Sequence, residues 1–134
     1  MHTTTAESNK LRILVAEDDM LASHLIREML NWHGLEMEPA RTGQEAMELW
    51  ESGSYDMILM DLQMPRLDGI SATRMIRKKE QERGGHIPIV AMTANTFEED
   101  RERCIAAGMD AYLTKPLDMK KGLEVIMGLL KKNA

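Results

Sequence analysis

Residues 13–20 read ILVAEDDM, an apolar run that ends in three consecutive carboxylates, Glu17, Asp18 and Asp19. The apolar part has the length and composition of a buried strand. The carboxylates are costly neighbours, because two like charges about 4 Å apart repel by roughly 4 kcal/mol at an effective dielectric constant near 20. This stretch alone leaves two interpretations open: an acidic, solvated turn that caps the next helix, or carboxylates gathered for a chemical purpose.

The composition indicates one globular domain. The chain has 134 residues, of which 43% are apolar and 29% charged, and its formal net charge of -5 disfavours a nucleic-acid surface. No apolar run approaches the roughly 18 residues of a membrane span, and the first ten residues lack the hydrophobic stretch of a secretory signal. Cys104 is the only cysteine, so a disulfide framework and a cysteine-based zinc site are excluded. We therefore expect a cytoplasmic protein that contacts neither membrane nor nucleic acid directly.

Short apolar runs alternate with segments of helical period. The runs lie at residues 11–16, 35–40, 55–60, 87–92 and 111–113. The first helical segment carries an apolar stripe at Leu21, Leu25, Met29 and Trp32, and two later segments open with capping boxes at residues 42–45 and 96–99. Five β/α pairs with short connections predict an α/β domain over residues 10–132, a parallel sheet between two layers of helices. Residues 1–9 are predicted to be a disordered tail.

Right-handed crossovers place every βα loop at the same edge of such a sheet, where the carboxyl ends of the strands meet and ligands bind. The loops of strands one, three, four and five contribute residues 17–19, Asp61, Thr93 and Lys115. Taken singly, Asp61 is an ordinary turn residue, Thr93 an ordinary strand end and Lys115 a solvated charge. Together they predict one site with an acidic cluster, a hydroxyl and an ammonium group.

This chain lacks the residues that define four other α/β families. The first loop, AEDDML, has neither the G-x-G-x-x-G of a dinucleotide fold nor the hydroxyl- and glycine-rich phosphate loop of a flavin-binding flavodoxin. The G-x-x-x-x-G-K-[ST] of a P-loop is absent. A haloacid-dehalogenase-type phosphatase would have a second Asp where this chain has Gln63.

Four segments, in order and with suitable spacing, resemble the signature segments of response-regulator receiver domains. They are ILVAEDD (13–19), ILMDLQMPRLDG (58–69), IVAMTAN (89–95) and AYLTKPLD (111–118). The sequences of these segments are most similar to those of receivers in hybrid sensor histidine kinases. The resemblance implies a flavodoxin-like, doubly wound (βα)5 sandwich with its parallel sheet in the order 2-1-3-4-5. It also implies a phosphorylation-dependent switch that assists its own phosphorylation and dephosphorylation, and not an enzyme in turnover.

Carried over position by position, the resemblance makes Asp61 the phosphoacceptor. It assigns a divalent cation to Asp18 directly, to Glu17 directly or through water, to Asp61 and to the backbone carbonyl of Gln63. The family more often has Asp at the position of Glu17. The bond between Lys115 and Pro116 is one that the family often has in the cis form.

The resemblance also implies roles for residues around the phosphoryl group. Thr93 matches the hydroxyl that hydrogen-bonds it, and Lys115 matches the cation that pairs with it. Tyr112 matches the aromatic switch residue that follows Thr93, with plain core packing as the alternative. Gln63 and Asn95 match positions that flank the phosphoryl group and tune its hydrolysis, although Asn95 could instead simply begin the turn into the fourth helix.

The chemistry of these residue types agrees with that assignment. An Asp carboxylate can attack phosphorus to give an aspartyl phosphate, but both reactants are anions, so a metal ion and a protein cation are needed. Mg²⁺ suits a site made of oxygen ligands, with Mn²⁺ as a substitute. The cation explains why Glu17 and Asp18 crowd together, while Asp19 is assigned to the start of the first helix.

The function predicted from the sequence is therefore that of a phosphoacceptor receiver domain. It would take a phosphoryl group from the phosphohistidine of a sensor histidine kinase or of a histidine phosphotransfer domain. Two alternatives remain open: an internal phosphorelay receiver of a hybrid histidine kinase, and a non-phosphorylated interaction module of the same fold. A homodimer through the face formed by helix four, strand five and helix five is a further possibility, and the short chain leaves no room for a DNA-binding output domain.

Overall fold

The computed structural model describes residues 10–94 and 98–132. Strands and helices alternate, as the sequence predicts. They are β1 (Arg12–Ala16), α1 (Met20–Trp32), β2 (Glu36–Ala40), α2 (Gly43–Ser52), β3 (Met57–Asp61), α3 (Gly69–Arg83), β4 (Ile89–Thr93), α4 (Glu98–Ala107), β5 (Ala111–Thr114) and α5 (Met119–Lys132). The predicted tail at residues 1–9 and the predicted capping box at residues 96–99 fall wholly or partly outside the described residues.

The five strands form one parallel sheet in the order β2-β1-β3-β4-β5. The predicted α/β architecture and strand order are therefore confirmed. Because the strands are parallel, their carboxyl ends meet at a single edge of the sheet. At that edge Asp61 pairs in register with Met92, and Thr93 pairs with Thr114.

Helices cover both faces of the sheet, and each face has its own apolar core. On one face α1 and α5 pack against alternate strand residues, including Ile13, Val15, Leu59, Val90 and Met92. On the other face α2, α3 and α4 cover the intervening residues, including Leu14, Ile58, Met60, Ile89 and Ala91. Burial on both faces explains why β3 and β4 are continuously apolar up to Asp61 and Thr93.

Most of the apolar stripe predicted for the first helix is exposed. Ile26, Met29 and Leu30 are buried in α1, whereas Leu21, Leu25 and Trp32 are 68%, 49% and 86% exposed. The helix carries two apolar arcs, and 3.6-residue periodicity identifies both without saying which one meets the sheet.

None of the helices within residues 10–94 and 98–132 is long and apolar enough to cross a membrane.

Candidate functional site

The carboxyl edge of the sheet holds an open cleft of about 460 Å³. The loops after β1, β3, β4 and β5 all contribute to it, as right-handed crossovers require. The lining residues are Glu17, Asp18, Asp19, Asp61, Gln63, Thr93, Ala94 and Lys115. The structure therefore brings together all the predicted metal-ligating and phosphoryl-contacting residues except Asn95, which lies outside the described residues.

Three carboxylates converge inside this cleft. Glu17, Asp18 and Asp61 each place a carboxylate oxygen within 4.8 Å of the others. Glu17 and Asp61 are buried, at 3% and 4% exposure, while Asp18 is exposed to solvent. Buried carboxylates at this separation need positive charge nearby, because burial and mutual repulsion both oppose ionisation.

Lys115 supplies that charge. Its Nζ donates a hydrogen bond to Asp61 Oδ2 at 2.7 Å and lies 2.8 Å from Glu17 Oε1. Glu17 Oε1 has no hydrogen-bond partner among the residues that the structure describes, so its contact with Lys115 is an ion pair without hydrogen-bond alignment. One ammonium group thus bridges the two buried acids.

Burial and neighbouring charges have opposing effects on the pKa values of Glu17 and Lys115. Burial raises the pKa of Glu17, and the neighbouring Asp61 adds to the rise, although Lys115 and the backbone of Asp19 offset part of it. Burial alone would lower the pKa of Lys115, but its contacts with Asp61 and Glu17 outweigh burial and raise that pKa. Lys115 is therefore held in its charged form.

Asp19 has a different task from its two neighbours. Its Oδ1 accepts hydrogen bonds from the backbone N–H groups of Leu21 at 2.9 Å and Ala22 at 3.2 Å, as the N-cap of α1. Its own backbone N–H donates to Glu17 Oε2 at 3.1 Å. The prediction that Asp19 serves the start of the first helix is confirmed. Of the three consecutive acids, two converge with Asp61 and the third caps a helix.

The loop after Asp61 is held by close backbone contacts. Gln63 N donates to Asp61 Oδ1 at 3.0 Å, which orients the carboxylate. Gly69 N donates to Leu62 O at 3.2 Å, and a Cβ at Gly69 would collide with the carbonyl oxygen of Asp61. Only glycine lets the start of α3 approach Asp61 so closely.

The same loop contains a backbone conformation that the sequence did not reveal. Arg66 has a φ of 71°, and Leu67 N donates to Pro65 O at 2.8 Å across it. This is a γ-turn of the rare positive-φ kind, which is strained for a residue that has a Cβ. Arginine gives no sequence signal for such a conformation, unlike glycine or asparagine.

β4 and β5 position the remaining predicted residues. Thr93 is 4% exposed at the end of β4, and Lys115 N donates to Thr93 O at 2.7 Å. The Lys115–Pro116 peptide bond is cis. Tyr112 is half-buried on β5, and its partner in the sheet is Ala91, two residues before Thr93. Because side chains alternate along strands, Tyr112 and Thr93 lie on the same face of the sheet.

The sequence analysis missed an exposed apolar surface beside the cleft. Met20, Leu21, Leu25 and Met119 are 70%, 68%, 49% and 45% exposed. Leu25 and Met119 also line a smaller, mostly apolar cavity of about 190 Å³ whose wall includes Glu17 and Lys115. The sequence signal was the apolar stripe of the first helix, three of whose four members are exposed. Large contiguous apolar patches on a protein surface are typical of interaction sites.

A second missed cluster lies at the opposite, amino-terminal edge of the sheet. Arg77 contacts Glu80 at 2.7 Å and Asp110 at 2.9 Å, and His86 Nε2 lies 2.8 Å from Asp110 Oδ1. Glu80 and Asp110 also accept backbone hydrogen bonds from residues 87 and 89. His86, to which the sequence analysis assigned no role, therefore belongs to a polar network that ties α3 to the starts of β4 and β5.

Comparison with known proteins decides the family. The family profile described as the response regulator receiver domain matches residues 13–127. The chain belongs to this family. A curated relative, hybrid signal transduction histidine kinase I of Dictyostelium discoideum, is 41% identical over 120 residues, which cover 86% of this chain and 7% of that kinase. The resemblance inferred from the four sequence segments is thus confirmed, and this chain spans a small part of such relatives.

Solved receiver domains have the same fold. The receiver domain of the Saccharomyces cerevisiae response regulator Ssk1, crystallised with the histidine phosphotransfer protein Ypd1, superposes with a TM-score of 0.89 at 31% identity, covering 93% of this chain and 92% of that one. The receiver domain of a Pseudomonas aeruginosa PAO1 sensor histidine kinase, solved with magnesium in its active-site cleft, has a TM-score of 0.82 at 38% identity, covering 91% and 98%. Receiver domains are phosphoacceptor switches of two-component and phosphorelay signalling.

The donor set of this receiver fits Mg²⁺. It consists of oxygen atoms only, from three carboxylates within 4.8 Å of one another. Glu17 Oε1 is buried and accepts no hydrogen bond from the described part of the chain. Hard divalent cations prefer such ligands, and Mg²⁺ keeps part of its water shell, which an open cleft allows.

Proposed function

We propose that this receiver domain accepts a phosphoryl group on Asp61 from a phosphohistidine on a partner protein. The observation that carries the proposal is the Lys115 ammonium held between Asp61 Oδ2 and Glu17 Oε1. A buried carboxylate that is paired with a cation and open to a polar cleft is equipped for nucleophilic attack on an anionic phosphoryl group. A turn residue or a helix cap would need none of this.

In the proposed step, an oxygen of Asp61 forms a bond to phosphorus while the bond from phosphorus to the imidazole nitrogen of the donor breaks. Gln63 N and Lys115 Nζ orient the Asp61 carboxylate. Lys115 and the Thr93 hydroxyl then offset charge on the phosphoryl oxygens. Asp18, Asp61 and the Gln63 carbonyl would hold Mg²⁺, and Glu17 would hold it directly or through water. The bound ion would neutralise charge between the carboxylates and the incoming phosphoryl group. Mn²⁺ has the same preference for oxygen ligands.

Loss of the phosphoryl group is proposed to depend on the same residues. Water must attack phosphorus in line with the bond to Asp61, and we propose that Gln63 and Asn95 tune this attack; Asn95 lies outside the described residues. Gln63 is exposed at the rim of the cleft, consistent with a role in positioning water. An amide can donate and accept hydrogen bonds but cannot act as a general base at neutral pH. The receiver would thus assist its own phosphorylation and dephosphorylation without being an enzyme in turnover.

The apolar surface of α1 supports a protein as the phosphoryl donor. Met20, Leu21 and Leu25 are exposed next to the cleft, where a partner that delivers phosphohistidine to Asp61 has to sit. Apolar cores surrounded by polar rims are typical of protein interfaces. A sensor histidine kinase or a histidine phosphotransfer domain in the cytoplasm is the partner we infer, by analogy with the Ypd1 and Ssk1 pair.

Phosphorylation is proposed to act on the α4–β5–α5 face. Thr93 and Tyr112 lie on the same face of adjacent strands, so movement of the Thr93 hydroxyl towards the phosphoryl group would open space for the Tyr112 ring. We propose that the Tyr112 ring has two positions, one outward and one inward, and that the inward ring fills the space left by the Thr93 hydroxyl. If phosphorylation shifts the population between them, the unphosphorylated protein must already sample the inward position. The same face is where a homodimer would form.

A second candidate function is that of an internal relay receiver within a hybrid histidine kinase. The observation that favours it is the length of the relatives: the matched segments cover 7% of the Dictyostelium kinase and 16% of histidine kinase 5 of Arabidopsis thaliana. The chemistry at Asp61 would be the same, but the phosphoryl group would pass on to a further histidine.

The test is to incubate the protein with acetyl phosphate and Mg²⁺ and to measure its intact mass. We expect one added phosphoryl group in the wild type and none in Asp61→Asn, whose side chain has nearly the same shape. Asp19→Asn is the matched control, because it removes an acidic charge from the lining of the same cleft but not from the cluster of Glu17, Asp18 and Asp61. Uptake by Asp61→Asn equal to that of the wild type would refute the assignment, and no uptake by any variant would favour an interaction module.

A further inference from the structure

Tyr112 lines a cleft that is separate from the cleft lined by Asp61. This cleft, between α4 and β5, has a volume of about 420 Å³, and its lining includes Tyr112, Arg101, Cys104 and Ile105 but not Thr93. Thr93 lines the phosphoacceptor cleft, which does not include Tyr112. We call this arrangement, in which Tyr112 lines the α4–β5 cleft and Arg101 lies over its ring, the outward position.

Arg101 covers the ring in that position. Its Cζ lies over the Tyr112 ring, 6.0 Å from the centroid, which is within the range of a cation–π interaction. The Tyr112 hydroxyl has no hydrogen bond to any residue in 10–94 or 98–132. The contact with Arg101 is therefore a specific polar restraint on the ring within the described part of the chain.

Arg101 differs in this respect from other arginines nearby. Arg103, two residues later in α4, lies 3.6 Å from Asp100, and Arg77 pairs with Glu80 and Asp110. No carboxylate of the described residues lies within 4.0 Å of the Arg101 guanidinium. Its charge is thus free to act on the ring.

We propose that Arg101 is a positioning residue that holds Tyr112 outward and so sets the threshold for switching. The inference rests on the proposed role of Tyr112 as the switch. Rotation towards Thr93 moves the ring from the α4–β5 cleft to the edge of the sheet and takes it away from the guanidinium. A cation–π contact at an exposed site biases such an equilibrium about two- to fivefold. Loss of Arg101 would raise the population of the inward ring by that factor.

The experiment uses fluorotyrosine and beryllofluoride, a phosphoryl mimic that binds the acceptor carboxylate with Mg²⁺. The chain has two tyrosines, so 3-fluorotyrosine in a Tyr55→Phe background gives one ¹⁹F resonance, from Tyr112. We expect Arg101→Ala to lower the beryllofluoride concentration at half-saturation about two- to fivefold, because apparent affinity scales with the competent fraction. Without the mimic, the ¹⁹F resonance of the Arg101→Ala protein should lie closer than that of the wild type to the chemical shift seen at beryllofluoride saturation. Arg101→Lys should restore part of the wild-type behaviour.

Arg103→Ala is the matched control, since it removes a positive charge from the same helix without touching Tyr112. A double-mutant cycle, read by calorimetric titration with beryllofluoride and Mg²⁺, separates the ring contact from general charge effects: in a Tyr112→Leu background, Arg101→Ala should change the affinity no further. Equal affinities for Arg101→Ala and Arg103→Ala would overturn the proposal. If beryllofluoride does not change the ¹⁹F chemical shift of the wild type, and acetyl phosphate still phosphorylates that protein, Tyr112 is rejected as the switch and Asp61 remains the acceptor.

Discussion

Glu17 and Lys115 form an ion pair of 2.8 Å at the carboxyl edge of the sheet. The other oxygen of Glu17 accepts the backbone N–H of Asp19, so both oxygens of this buried acid contact the protein. The same lysine hydrogen-bonds Asp61, so the two buried acids share one ammonium group.

The raised pKa of Glu17 predicts a pH dependence of stability in metal-free protein. Because the folded state holds this proton to higher pH than the unfolded chain, whose carboxyl keeps its ordinary pKa of 4.5, the contribution of Glu17 to the free energy of unfolding falls as pH rises above that value. Glu17→Gln should therefore gain stability relative to the wild type between pH 4.5 and neutrality. Urea unfolding in chelator at several pH values measures this, and a difference between the two proteins that is constant with pH would contradict it.

Mg²⁺ should stabilise the wild type by linkage and fail to stabilise Asp18→Asn. Ligand at ten times its dissociation constant adds about 1.4 kcal/mol to the free energy of unfolding. Asp18 is exposed, so its replacement should not harm the fold itself. Asp19→Asn is again the control, because asparagine is an equally good N-cap and the metal response should persist. Thermal unfolding with and without Mg²⁺ tests this prediction. If Mg²⁺ raises the melting temperatures of Asp18→Asn and the wild type equally, Asp18 is excluded as a ligand.

Two glycine-to-alanine substitutions should have opposite effects on stability. A Cβ at Gly69 would collide with the carbonyl oxygen of Asp61 and the side chain of Met60, so Gly69→Ala should cost about 1–3 kcal/mol and reduce phosphorylation. A Cβ at Gly128, in α5, meets nothing within 4 Å, so Gly128→Ala should add about 1 kcal/mol through helix propensity. Urea titration of the two variants tests both signs. A Gly69→Ala protein as stable as wild type would mean that the start of α3 can move away from Asp61.

Relief of the strained turn after Asp61 should also be measurable. Arg66 has a φ of 71°, so Arg66→Gly should raise the free energy of unfolding by up to about 1 kcal/mol, the removed strain being partly offset by the greater freedom of glycine in the unfolded chain. Arg66→Ala is the matched control, because it removes the side chain and keeps the strain. If alanine stabilises as much as glycine, the gain comes from the charge and not from the backbone.

Much of the candidate site could be predicted because it depends on strand order and chain direction. Glu17, Asp61, Thr93 and Lys115 each follow an apolar run, and parallel strands bring such positions to one edge whatever the packing beneath them. The pairing of Lys115 with both Glu17 and Asp61 could not be predicted in this way. It depends on side-chain reach and burial across three loops, which residue spacing does not specify.

Local periodicity and chirality are enough to predict the alternation of five strands and five helices, the edge at which the acids meet, and the use of Asp19 as a cap. They do not predict which arc of α1 is buried, and packing leaves Leu21, Leu25 and Trp32 exposed. Tertiary structure also decided the left-handed backbone of Arg66 and the position of the Tyr112 ring under Arg101. A helix with two apolar arcs buries the one that the sheet and its neighbouring helix can cover, and that choice is made by packing between segments distant in the chain.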